Sequence, residues 1–593
     1  MSADLGRKHA KVRRRIPTGV VLAGTALCFL AAWHLALVIM GGLPIGAVST
    51  TLHALVSGAP VAGLPAAYRP DSTIAAIAVA VMLIVVPFIA WIVWSWRRAS
   101  RVQAVGLADR KQTRAAAGED RARAKAAWNR RESVERGELD VDRAPLSQIG
   151  FLLGSTVGPD EKVVTTHEDQ IAVWAPTGGG KSLHLMIGAC LDAPGALVAT
   201  STRPELLDAI MEARTSMGQV WVFDPLDMAT WVEPMVWDPI AGAQDSKVAV
   251  SRGLAFASGL AGDKTDEQNQ FFTGAAALIM TRLMHAAALE GRDMLDVFRW
   301  ALDLERTTEA TEILAAHPAA EVLYAETLKT ATEGADETVN SVRMTLGQSI
   351  EPVLSRRVLR QLVPAPGIPQ FTAAEFVRST DTLILITDDN AESNVSALTT
   401  MLLNEVVTAA KAAAAQSEGG RLDPVLRIVG DEIANVAPLP KLAGYLTDSR
   451  GAGIQWLCAF QSVAQILARW GDKTGKQLLV SLNASMVLGG LQDDEALERF
   501  SRLVGKTDLV QVIATLDRDT STSSHSVSLA EREVLRPEEI RQLPEGRALL
   551  IYKNAPAMLV DLIPWTSRGD ADDIAAGIGR IRKVRIAHPG WTR

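Results

Sequence analysis

Ala175, Pro176, Thr177, Gly178, Gly179, Gly180, Lys181 and Ser182 stand between an apolar run, residues 171–174, and an apolar stretch, residues 183–190, that reads as a helix. A strand, a glycine-rich turn and a helix N-terminus together make a phosphate cradle. The backbone N–H groups of the turn and the helix dipole face a β-phosphate. In that frame Lys181 reaches the β and γ oxygens and Ser182 puts its hydroxyl on Mg²⁺. ATP with Mg²⁺ is the ligand this spacing predicts. Ala175 takes the place usually held by glycine, a relaxed form of the pattern that slightly weakens the loop. The competing explanation is an unliganded tight turn, although each glycine costs roughly 1 kcal/mol within regular structure.

A second cluster, Arg427-Ile428-Val429-Gly430-Asp431-Glu432, is an apolar strand that ends in two acids. Ligands of open α/β sheets bind beyond the carboxyl ends of strands, so these acids belong beside the phosphate turn. Asp431 would hold the Mg²⁺ hydration shell, and Glu432 would orient or deprotonate the attacking water. The plain alternative is an acidic helix start. Residues 453–459 form another strand run, followed by Phe460-Gln461-Ser462. Gln461 either hydrogen-bonds a γ-phosphate or its water, or simply caps a helix. Arg450, just ahead of that strand, either pairs with an acid of its own chain or reaches a neighbour's nucleotide as an arginine finger.

The elements that position these groups follow an α/β rhythm. Strand runs at 171–174, 196–200 and 219–223 alternate with helical segments at 181–191 and 204–214. The rhythm resumes with strands at 383–387, 425–430, 453–459, 485–489 and 548–552 and an Ala-rich helix at 393–415. This predicts a mostly parallel sheet covered on both faces, an α/β nucleotide-binding domain built from residues 146–258 and 371–593. Residues 259–370 nearly lack strand signals and carry helical patterns at 271–289, 293–304, 307–315, 319–333 and 337–359, an all-helical insertion. It either selects substrate or buttresses the core. Residues 100–145, rich in Ala, Arg and Glu, read as a solvent-exposed helical stalk or linker.

Residues 1–99 read as a two-span membrane anchor. Residues 18–40 and 73–96 are each long and apolar enough to cross a hydrocarbon core. Arg7, Lys8, Lys11, Arg13, Arg14 and Arg15 precede the first; Arg97, Arg98, Arg101, Arg110 and Lys111 follow the second. The loop between them, residues 41–72, holds one basic residue, Arg69. That bias places both termini in the cytoplasm and the spans in the inner (plasma) membrane, with Trp91, Trp94 and Trp96 at the inner interface. His34, in the first span, reads as a packing or interface residue rather than a proton carrier. Cys28, Cys190 and Cys458 lie scattered in apolar runs without metal spacing, which suits a reducing compartment. The net charge of −7 does not match a protein that coats duplex DNA through a broad basic face, and leaves open DNA held inside a ring.

These motifs, taken in order, resemble the type IV coupling proteins of bacterial conjugation and type IV secretion. The resemblance covers nearly the whole chain. Besides the phosphate loop it rests on Thr200-Ser201-Thr202-Arg203-Pro204-Glu205-Leu206-Leu207, on Val222-Phe223-Asp224-Pro225 and on the helical run from Phe271. It continues through Gly430-Asp431-Glu432-Ile433-Ala434-Asn435, Leu439-Pro440 and Ser449-Arg450-Gly451-Ala452-Gly453-Ile454. Phe460-Gln461-Ser462-Val463-Ala464-Gln465, Gly490-Leu491-Gln492-Asp493 and Leu535-Arg536-Pro537-Glu538-Glu539 complete it.

The resemblance implies a membrane-anchored, homohexameric RecA-like motor with nucleotide between subunits. Such a motor couples ATP hydrolysis to export of single-stranded DNA, with its covalently attached relaxase, through a type IV secretion channel. It further implies phosphate-loop roles for Lys181 and Ser182, second-motif roles for Asp431 and Glu432, and a place near the γ-phosphate for Gln461. Arg450 falls where some relatives carry an arginine finger. Arg203 falls where many carry lysine, facing either phosphate or DNA. Two alternatives compete: a duplex DNA translocase of the cell-division or partitioning type, and a catalytically silent membrane scaffold that recruits a relaxosome. The chain ends soon after Arg580, Arg582, Lys583 and Arg585 without a winged-helix pattern, which disfavours the translocase. Intact Lys181, Ser182, Asp431 and Glu432 disfavour the scaffold. Acidic clusters in the insertion, Asp263-Lys264-Thr265-Asp266-Glu267 and Glu333-Gly334-Ala335-Asp336-Glu337, either receive a basic relaxase or only solvate loops.

Overall fold

Apolar runs without polar alternation need cover on both faces, and the central strands fold accordingly. In the computed structural model the strands are β1 (Phe151–Thr156), β2 (Lys162–Thr165), β3 (Ile171–Trp174), β4 (Leu197–Ser201), β5 (Val220–Phe223), β6 (Thr382–Ile386) and β7 (Leu426–Gly430). They continue with β8 (Ile454–Phe460), β9 (Ala484–Leu488), β10 (Lys506–Leu516), β11 (Ser523–Glu533), β12 (Arg547–Tyr552) and β13 (Met558–Leu562). The structure describes residues 33–39, 42–69 and 106–587, except 58, 61, 63, 159, 232, 234, 261–266, 304–306, several positions between 334 and 349, 389–394 and 517–522. They fall into two compact units, one within Met1–Val102 and one within Gln103–Arg593.

The larger unit is built on an 11-stranded sheet in the order β2-β1-β13-β12-β9-β3-β8-β7-β4-β6-β5. From β9 to β5 every pairing is parallel, so the carboxyl ends of β3, β8, β7, β4 and β6 share one edge. Every strand read from the sequence is present, with its bounds within one residue. The sheet is mostly parallel, as expected, and the antiparallel arm β2-β1-β13-β12 adds three strands, β1, β2 and β13, not read from the sequence. Its signals are weak because β2 is short and β1 changes register between Leu152 and Gly154. A Cβ at Gly154 would meet the Asp561 carbonyl of β13 at 2.2 Å, so glycine there answers a close backbone approach. The ribbon β10-β11 stands apart as a separate two-stranded sheet.

The helical block begins earlier than residue 259, because the helix Ser246–Leu260 packs along both Glu267–Leu289 and Ser396–Gln416. It also lacks a core of its own. Phe256, Met280, Leu283, Phe298 and Trp300 join the sheet residues Trp174 and Phe223 in one continuous apolar cluster. Phe271–Leu289 is long and apolar enough to cross a membrane, yet most of it is buried within this block.

The stretch expected as an exposed stalk is docked against the sheet from Arg110 onward. Ala122, Ala126, Leu139, Ala144 and Ile149 pack with Val164 of β2. Arg130, 4% exposed, pairs with the Asp423 carboxylate, which also accepts the Ser133 N–H at 2.7 Å. Alanine allows close approach of helices without raising the hydropathy that marks a core, which hid this contact from composition.

In the smaller unit, Trp33, Ala36, Leu37, Leu43, Ala54 and Leu64 form a small cluster, and the segment read as a plain loop holds a helix, Val48–Val56. His34 is doubly bonded there, to the Thr51 hydroxyl at 2.7 Å and the Ile45 carbonyl at 2.9 Å. The rest of both expected spans, Cys28, Trp91, Trp94, Trp96 and the basic residues 7–15 and 97–101 lie outside the described residues. So do 263–266 and 334–337 of the acidic clusters.

Candidate nucleotide-binding site

β3 is buried at each of its residues, and Trp174 at its end packs on the rings of Phe460 and Phe500 at 5.6 and 5.3 Å. That anchors the loop that follows. Ala175 N–H donates to the Phe460 carbonyl at 3.2 Å, and Gly179 N–H to Pro176 at 3.0 Å. Gly178 and Gly180 have φ of 75° and 78°, the left-handed region where a side chain is strained. A Cβ on Gly180 would also meet the His184 ring at 2.9 Å. Ala175 is buried and is not among the positive-φ residues, so its backbone makes no demand for glycine. The expected weakening of the loop therefore has no basis in its backbone geometry. Ala175→Gly should lower stability by about 0.5–1 kcal/mol through backbone entropy and leave nucleotide affinity unchanged. Thermal unfolding and nucleotide titration check this, and tighter binding would reinstate the loop defect.

The helix after the loop opens with a π-helical turn, Ser182–Met186, and continues as Ile187–Leu191. Buried Arg427 of β7 donates to the Ala189 and Asp192 carbonyls at its far end, 3.0 and 2.9 Å away. A cation at a helix C-terminus answers the negative end of the dipole. The same contact ties the strand that carries the acids to the helix that carries the phosphate loop. Burial lowers the Arg427 pKa to about 10, so it stays charged at neutral pH.

Lys181 is drawn inward to the acids. Its Nζ lies 2.8 Å from Asp431 Oδ1 and 3.3 Å from Glu432 Oε1. Burial raises the Asp431 pKa, while Lys181 pulls it back down. Glu432 has φ 56°, a left-handed backbone that costs a non-glycine residue about 1–2 kcal/mol. Its side chain makes no cap on the short helix Ile433–Val436. Instead it accepts from Gln461 Nε2 at 3.3 Å and from the Thr202 hydroxyl at 3.4 Å. Gln461 is likewise no cap, since the Ser462 hydroxyl accepts the Gln465 N–H at 3.0 Å. Glu432 thus stands at a helix start without capping it, and Gln461 caps no helix.

A cleft of about 640 Å³ opens between these groups, lined by Thr177, Gly178, Gly180, Lys181, Ser182, Asp431, Glu432 and Gln461. Arg203, Glu205, Asp388, Asn435 and Gln465 also line it, with Leu183, Ile187, Leu206 and Met228 on an apolar wall. Asp388 was not singled out from the sequence, although an acid just past an apolar strand is the signal that marked Asp431. Arg450 is absent from this lining. It sits exposed on the helix Leu442–Ala452, at the amino end of β8, whereas the cleft lies at the carboxyl end. The seven residues of β8, at about 3.3 Å each, put roughly 20 Å between them. Arg450 has no ion-pair partner among the described residues. Cys190 and Cys458 are buried, their thiols pushed up to about 12, and stand outside this chemistry.

A parallel sheet with β8 between the phosphate-loop strand and the strand of the acids defines a P-loop α/β protein of the RecA-like class. The profile of the family described as type IV secretory system conjugative DNA transfer matches residues 117–573, and the chain belongs to that family, the type IV coupling proteins. Protein VirD4 of Rhizobium rhizogenes is 22% identical over 436 residues, spanning 70% of this chain and 62% of VirD4. The bacterial conjugative coupling protein TrwBΔN70, in an unbound form, superposes with a TM-score of 0.51 at 16% identity, over 69% of this chain and 88% of that one. TrwB in complex with the non-hydrolysable ATP analogue ADPNP gives 0.50 at 17% identity, over 69% and 89%. These likenesses establish the fold.

Proposed function

We propose that the chain is a membrane-anchored, ATP-hydrolysing motor that delivers relaxase-bound single-stranded DNA to a type IV secretion channel. The observation that carries this is the meeting of Lys181, Asp431, Glu432 and Gln461 around one cleft in a chain of the conjugative DNA transfer family. TrwB, which shares the fold, has been seen with an ATP analogue. Here Gly178, Gly179 and Gly180 would present their N–H groups to the phosphates, Lys181 would neutralise them, and Ser182 and Asp431 would hold Mg²⁺. Glu432 would then take the proton of the attacking water, with Gln461 beside the terminal phosphate. Residues 18–40 and 73–96 anchor the motor in the inner membrane with both termini cytoplasmic. Six copies close a ring, with nucleotide between neighbours.

The test is ATP hydrolysis by the full-length protein with no DNA, single-stranded DNA or duplex. Single-stranded DNA should raise the rate, and donor cells carrying only Lys181→Ala should transfer no DNA. Stimulation by duplex alone would favour the duplex translocase. No hydrolysis above the Lys181→Ala background would favour the silent scaffold.

A further inference from the structure

Arg203 follows β4, the strand next to β7, and so stands one strand beyond the acids as seen from the phosphate loop. The loop that carries it is pinned. The Ser201 hydroxyl accepts the Arg203 N–H at 3.1 Å, and the Thr200 hydroxyl donates to the Asp431 carbonyl at 2.9 Å. Thr202 reaches Glu432 from the same turn. The Arg203 side chain lies on the cleft wall, exposed, with no ion-pair partner among the described residues.

Charge makes that position informative. Lys181 and Arg203 are the two cations on the described wall of the cleft, facing Glu205, Asp388, Asp431 and Glu432. Lys181 is already engaged by two of those acids. Its ammonium reaches from the β3 loop to the acids that follow β7, so the terminal-phosphate end of a triphosphate seated on that loop would lie toward β8 and β7. Neighbouring strands lie about 4.8 Å apart, so a guanidinium on the loop after β4 would stand within a side chain's length of that end.

We propose that Arg203 grips the terminal phosphate of ATP through paired charge-assisted hydrogen bonds, so that the cleft separates ATP from ADP. This rests on the nucleotide-binding reading of the cleft. A planar guanidinium suits two phosphate oxygens at once, whereas lysine supplies only a point charge.

The test titrates the detergent-solubilised full-length protein, with Mg²⁺, against ADP and against a non-hydrolysable ATP analogue. Arg203→Gln should weaken the ATP analogue by about ten- to a hundredfold and leave ADP unchanged. Arg203→Lys should recover part of the loss. Equal weakening of both ligands would make Arg203 a general electrostatic or structural residue and overturn the proposal. Unchanged affinity for both would overturn it too, and a loss of single-stranded DNA binding in that variant would turn Arg203 toward DNA. Failure of the unmodified protein to bind either nucleotide would instead refute the nucleotide-binding reading itself.

Discussion

Glu432→Gln should bind ATP and fail to turn it over, with hydrolysis falling by about 10²- to 10⁴-fold, the usual contribution of a positioned general base. The variant keeps the shape of the side chain and an accepting oxygen for Gln461, while its amide N–H donates to the Thr202 hydroxyl, which then accepts. It also occupies the same left-handed backbone at φ 56° without new strain. What it loses is the capacity to take a proton from water. Lys181→Ala should differ in kind, losing affinity as well as rate, because it removes the cation proposed to meet the phosphates. The ion pairs of Lys181 with Asp431 and Glu432 explain how the two variants separate. On the proposed mechanism, phosphate would draw the ammonium away and free Glu432 to face the water. Nucleotide affinity and hydrolysis rate measured side by side decide the matter, and full turnover by Glu432→Gln would remove this residue from the base role.

The grouping of residues around the candidate cleft was legible because its pattern is local in sequence. A glycine turn between a strand and a helix, and two acids at a strand end, each specify their place on a parallel sheet. Arg203 was visible as a residue but not as a direction, because which way a loop faces depends on the strand order β8-β7-β4. The docking of residues 110–149 was hidden for a different reason. Its contacts are made by alanines and by Arg130 with Asp423, partners 293 residues apart. The antiparallel arm was missed because β1 and β2 are joined across a register shift that breaks the alternation of side chains. Local pattern fixes element type; pairing across long sequence distances leaves no comparable mark.

Arg450 is where those two kinds of information meet. Its place at the amino end of β8 puts it far from the cleft of its own chain, so an arginine-finger role demands a second copy. Hydrolysis should therefore rise steeply with protein concentration as rings form. Arg450→Ala should cost about 10³-fold or more in rate, the effect of removing such a finger. Mixing decides whether the contact is made in trans. Arg450→Ala protomers retain an intact cleft but lend no finger, while Lys181→Ala protomers lend a finger but have a dead cleft. At interfaces where the first supplies the cleft and the second the arginine, activity should return. Two inactive variants would then give an active mixture, in proportion to the productive neighbours. A mixture as silent as its components would deny Arg450 a role across the interface. Its exposure at the foot of β8 would then call for a different partner.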